Sequence, residues 1–184
     1  MSSLPNPETE SPLAVMHIVD YDARYRPDFF SLNEAWIAPN FGMEQEDIDF
    51  LSNPQREILD KGGRIWMALY DGQVVGCCGL FKMDDATFEM IRVAVDSRFQ
   101  GLGIGKRLIL HAVDWAKAQP DCMQVILESS SQPVNAKAVA MYERLGFSHY
   151  LPKAEHRSTL ARADVFMVMD ISSVTPEKTD ETKV

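Results

Sequence analysis

The chain has 184 residues, 46% of them apolar, which suits one globular domain and is too apolar for a disordered chain. Its formal net charge of −9 argues against general nucleic-acid binding, which rests on neutralising phosphates. No apolar stretch approaches the roughly 20 residues that span a bilayer, so no membrane partner is expected.

Residues 1–12 are polar and hold three prolines, which predicts an N-terminal tail. They lack the charged and apolar regions of a secretion signal, and the expected location is cytoplasmic. Val15 to Val19 reads as a first strand. Pro27 to Ile37 reads as a helix with Phe30, Ala35 and Trp36 available for burial. Glu44 to Lys61 is a second helical region, interrupted near Asn53-Pro54 and closed by Gly62-Gly63. Arg64 to Tyr70 and Gln73 to Lys82 form a hairpin around Asp71-Gly72. Thr87 to Val95 is a further strand. A glycine-rich loop follows, then a helix from about Gly103 to Ala118 with Ile104, Leu108, Ala112 and Trp115 on one face. Met123 to Ser129 is the next strand. A helix from about Val134 to Leu145 follows Pro133 and is capped by Gly146. Strands near Phe147–Leu151 and Ala163–Ile171 close a domain over residues 13–171, and a polar tail covers 172–184. Cys77, Cys78 and Cys122, an odd count with one adjacent pair, read as free buried thiols. The four histidines are scattered, and no metal is expected.

The chemistry concentrates at the loop between the strand 87–95 and its helix. Gly101, Gly103 and Gly105 alternate there. Residues 97–113 contain no acidic side chain but do contain Arg98, Lys106 and Arg107. Free amides of a glycine loop and a helix N-terminus form an anion site, which fits a phosphate-bearing ligand. The spacing fails the dinucleotide fingerprint, because Lys106 stands where its third glycine should be. It also fails the P-loop, at Gln100 and at Arg107.

Gln100, Gly103 and Gly105 instead resemble the Gln/Arg-x-x-Gly-x-Gly/Ala loop of the GNAT superfamily of N-acetyltransferases. Asn135, Ala138, Tyr142, Gly146 and Phe147 are similar to that family's second signature. The resemblance covers roughly residues 13–171. It implies the GNAT α/β (α+β) fold: a mixed, mostly antiparallel sheet of six to seven strands flanked by about four helices. Acetyl-coenzyme A is the implied co-substrate, an amine the acceptor, and a homodimer is common in the family.

By the same resemblance, the strands 87–95 and 123–129 splay apart, the first with a β-bulge, and admit the pantetheine arm. Val93, Ala94 and Val95 border that arm with main-chain groups. The amides of Gln100, Gly101, Leu102, Gly103, Ile104, Gly105 and Lys106 take the diphosphate. Asn135 contacts the arm, and Lys137 reaches a phosphate. Glu89 is the candidate base. Strand alternation puts it on one face with Ile91, Val93 and Val95, where apolar neighbours would raise its pKa; a solvent-facing glutamate is the alternative. Tyr142 is the candidate acid for the departing thiolate, against a packed core aromatic. Arg92 is expected in a surface salt bridge. His149 and His156 could border the acceptor pocket. The expected activity is direct acetyl transfer to a primary amine of a small molecule. The alternatives are a protein or peptide acceptor, or a non-catalytic acetyl-coenzyme A-binding sensor.

Overall fold

The computed structural model describes residues 15–152, 160 and 162–172. Seven strands form one sheet: β1 (Met16–Asp20), β2 (Arg64–Tyr70), β3 (Gln73–Lys82), β4 (Thr87–Val95), β5 (Gln124–Ser129), β6 (Ser148–His149) and β7 (Val165–Asp170). Their spatial order is β1-β2-β3-β4-β5-β7-β6. Every pairing is antiparallel except β4 with β5, the pair joined through helix α3 (Ile104–Lys117). A parallel neighbour needs such a crossover. Helices α1 (Arg26–Phe41) and α2 (Gln45–Ser52) precede the β2–β3 hairpin, and α4 (Ala136–Arg144) follows β5. This is the mixed sheet with flanking helices that the signatures imply. The tails expected at 1–12 and 172–184 lie outside the described residues, apart from Ser172.

The hairpin closes where expected. Asp71 and Gly72 both have positive φ, 48° and 79°, as a type I′ turn requires. The helices bury different sets than simple patterning suggests. In α1 the buried residues are Phe29, Asn33 and Ile37, four apart, whereas Ala35 is exposed. The region 44–61 divides into α2 and a π-turn over Gln55–Leu59, which buries Ile58. The strand expected at 147–151 shrinks to Ser148–His149, which adds to the outer edge of β7.

The sheet has a core on each face. One face packs Trp66, Leu80, Phe88 and Met90 against Leu108, Ile109 and Ala112 of α3. Trp115 joins it edge-on, with ring centroids 5.7 Å from Trp66 and 5.4 Å from Phe88. The other face packs Ile65, Met67 and Cys77 under Phe29, Ile37 and Leu51 of α1 and α2. All three cysteines are buried and free; burial raises the Cys77 thiol to about 12, so it stays protonated and inert at neutral pH.

Candidate active site

The site begins where β4 and β5 stop pairing. Their register runs from Thr87↔Gln124 to Met90↔Leu127 and no further, although β4 continues to Val95 and β5 to Ser129. Beyond Met90 the sheet is open, and a cleft of about 750 Å³ lies in the opening.

A bulge sets what β4 presents there. The β3–β4 register slips between Cys77 and Gly79, and opposite the slip Arg92 has φ +55°. A non-glycine residue in that region carries strain, of the order of 1–3 kcal/mol. The bulge inverts the alternation. Phe88 and Met90 point into the α3 core, and so do Val93 and Val95, while Ile91 and Ala94 pack on the α1–α2 side. The expectation that Glu89, Ile91, Val93 and Val95 share one face is therefore corrected. Glu89 and Ile91 belong to one side of the sheet and Val93 and Val95 to the other, because one extra residue shifts a period-2 pattern by half a cycle.

At one end of the cleft lies the glycine loop. Gly101 and Gly103 hold φ of 83° and 77°, and Gly103 caps α3 in the left-handed conformation. Among the described residues, the amides of residues 100–106 donate to no backbone carbonyl, and the first bond of the helix is from the Arg107 amide to the Gly103 carbonyl, 3.0 Å. Seven consecutive donors at a helix N-terminus make an anion cradle. Gln100, Gly101, Gly103, Ile104, Gly105 and Lys106 all line the cleft. Leu102 does not: its side chain sits at the loop tip, 57% exposed, so any part it plays is confined to its amide. The positive charge is also redistributed. Arg98 is turned onto Asp96 at 2.6 Å and Arg107 toward the Met16 carbonyl at 3.5 Å, leaving Lys106 and Lys137 on the cleft.

Val93, Ala94 and Val95 line the middle, with Asn135, whose amide donates to the Ser129 hydroxyl at 3.3 Å. Tyr142 stands between the cleft and the core. It borders the cleft, and it is 8% exposed in the α3-side core, its ring 5.9 Å from that of Phe147. Burial pushes its phenol well above the usual range, with Cys78 adding to the effect, so the hydroxyl stays protonated.

At the other end stand Glu89, Glu46 and Glu128 among the rings of Trp36, Phe41 and Phe50. Burial raises Glu89 to about 7; the charges of Glu128 and Glu46 push the same way, and Arg92 opposes them. Glu89 is thus the carboxyl in this cleft that changes charge near neutral pH.

Two residues here, Asp47 and Asn33, escaped sequence reasoning. Asp47 of α2 is fully buried and bonded to Arg92 at 2.5 Å and to Arg162 at 2.6 Å. Burial works against its charge, but hydrogen bonds from Arg162, the Glu44 amide and Arg92 outweigh it and hold Asp47 below its usual range. Arg92 is therefore in a buried ion pair and not a surface one, its side chain 9% exposed. Asn33 is 3% exposed, borders the cleft, and donates to Cys77 Sγ at 3.3 Å. His149 turns away to Glu143 at 3.0 Å, and His156 lies outside the described residues. Among the described residues, no group of three or more His, Cys, Asp or Glu is placed to hold a metal, and no helix is long and apolar enough to cross a membrane.

The sequence profile of the acetyltransferase (GNAT) family matches residues 25–147. The curated relatives include N-acetylaspartate synthetase of Rattus norvegicus, 37% identical over 89 residues, which are 48% of this chain and 29% of that protein. The chain thus spans less than a third of that relative's length. Among solved structures, a GNAT-family acetyltransferase from Staphylococcus aureus Mu50 superposes with a TM-score of 0.75 at 21% identity, covering 85% of this chain and 99% of that one. A GNAT-family acetyltransferase from Elizabethkingia anophelis with acetyl-CoA bound superposes with a TM-score of 0.63 at 19% identity, covering 84% and 97%. At these identities the likeness is one of fold.

Proposed function

Because this chain belongs to the acetyltransferase (GNAT) family and is an acyltransferase, we propose that it moves the acetyl group of acetyl-coenzyme A directly to a primary amine of a small molecule. The observation that carries this reading is one cleft with a cradle of unbonded amides at one end and Glu89, poised near 7, at the other. Acetyl-coenzyme A, when bound, would supply the acetyl group as an activated thioester.

This chain's own residues do the rest. The amides of residues 100–106 hold the diphosphate, with Lys106 and Lys137 beside it. The main chain of Val93 and Val95, which has no β5 partner beyond Met90, receives the pantetheine arm as an added strand. Asn135 orients the arm. Glu89, ionised above about 7, takes the proton that an alkylamine of pKa around 10 carries at neutral pH. Tyr142, kept protonated by burial, offers its hydroxyl to the departing sulfur. The buried, inert cysteines fit no acyl-enzyme step.

Release of free coenzyme A across a panel of amino acids, polyamines, aminoglycosides and peptides tests the reading. Amino acids head the panel because relatives matched over 48% of this chain are N-acetylaspartate synthetases. Turnover confined to peptides would move the acceptor to proteins, and tight cofactor binding without turnover on any amine would favour a sensor.

A further inference from the structure

Asp47 is the one fully buried charged residue among those described, and it does not line the cleft. It joins three distant stretches of chain. Arg162, just before β7, reaches its two oxygens with Nη1 and Nη2 at 2.9 and 2.6 Å, a bidentate fork. Arg92, the bulge residue of β4, reaches Oδ1 through Nη1 at 2.5 Å. The Glu44 amide donates to Oδ2 at 3.1 Å, and the Glu44 carboxylate takes a further bond from Arg162 at 3.2 Å. A buried carboxylate persists only when it is bonded this fully.

The bulge is gripped from a second direction. The Arg92 carbonyl accepts the Cys77 thiol at 3.4 Å, and Cys77 Sγ accepts the Asn33 amide at 3.3 Å. So the left-handed residue that inverts β4 is tied by its side chain to α2 and by its carbonyl to β3. Those ties offset the strain of its φ of +55°, and loss of them would favour relaxation of the strand toward regular pairing. Val93 and Val95 would then lose the facing that the bulge gives them.

We propose that Asp47 is a positioning residue: by holding Arg92 and Arg162 together it fixes the β4 bulge, and with it the main chain that receives the pantetheine arm. This rests on the acetyltransferase reading above. It separates two parts of donor binding, because the loop that cradles the diphosphate lies beyond the end of β4 and makes none of these contacts.

Calorimetry on the full chain tests it with two ligands: acetyl-coenzyme A, and 3′-phospho-ADP, which is the nucleotide end without the arm. In Asp47→Asn, which keeps shape and loses charge, affinity for acetyl-coenzyme A should fall about tenfold or more, the size seen when the residue behind a ligating group is removed. Affinity for 3′-phospho-ADP should stay within about twofold, the scatter of unrelated surface changes. Arg162→Lys keeps the charge and loses the fork, so it should give a milder copy of the same split, and it carries the test if Asp47→Asn does not fold. Equal losses for both ligands, or no loss for either, would overturn the proposal. A parent chain that binds no acetyl-coenzyme A would fail the acetyltransferase reading instead, and its own titration tells the two failures apart.

Discussion

Glu89 joins function to stability in a way that can be measured from both sides. Its pKa is raised in the fold, from an ordinary carboxyl value to about 7. The protonated form is therefore the one the fold favours. Its contribution is fully present below an unfolded value of around 4.3 and is lost as pH rises through 7. Glu89→Gln, which mimics the protonated form, should be more stable than the parent at pH 8.5, by of the order of 2–3 kcal/mol, and should converge with it near pH 4. Thermal melts at the two pH values check this. The same substitution should lower kcat at pH 7 by roughly 10²–10⁴-fold, with recovery as the amine deprotonates unaided at higher pH. A parent profile that loses activity below about 7 and a variant profile lacking that limb would assign the limb to Glu89. The residue type and position were readable in the sequence. The strength of the shift was not, because it depends first on burial in the folded cleft and then on Glu128 and Glu46, which reach the site from β5 and α2.

At the level of elements, the loop and α3 carry distinct burdens. Gly103 sits at φ +77°, so a side chain there would change the loop backbone as well as its charge. Gly105 gives the cleaner test: it lies within α3, and a Cβ would meet only Val95 at 3.6 Å and Met141 at 4.0 Å. Gly105→Glu should keep the fold and weaken acetyl-coenzyme A binding at least about 100-fold, since a carboxylate would face the diphosphate in a desolvated cradle. Calorimetry beside a melting curve measures both. Leu108→Ala, at a fully buried position of α3, should cost about 2–5 kcal/mol in denaturant unfolding. Element order was largely legible in the sequence, because the Asp71-Gly72 turn and the apolar face of α3 are local signals. What was not legible was the phase of β4. The family resemblance implied a bulge in this strand without placing it: a period-2 reading runs straight through Arg92, and no local residue marks the position. Asp47 was hidden for a related reason: in the acidic run from Glu44 to Asp49 it reads as one more solvated charge, and its partners are 45 and 115 residues away.

Across the whole molecule, the sheet divides the proposed work between its faces. The glycine loop, Val93, Val95 and Tyr142 belong with α3 and α4, whereas Glu89 and the aromatic wall belong with α1 and α2, and the gap between β4 and β5 joins them. A ligand lying in that gap bridges the stretches of β4 and β5 that do not pair with each other. Saturation with coenzyme A at about 100 times its Kd should therefore stabilise the entire chain by about 2.7 kcal/mol, or roughly 5–10 °C in Tm for a domain of this size. Differential scanning fluorimetry reads this directly, and an unmoved Tm at saturating ligand would deny that the gap is the donor site. The cradle itself has one more consequence. Its donors are peptide groups, and what it demands of the gene is the torsion available at Gly101 and Gly103. Such a contact surface is insulated from most point substitutions along its length, so its shape can persist while the surrounding sequence is rewritten.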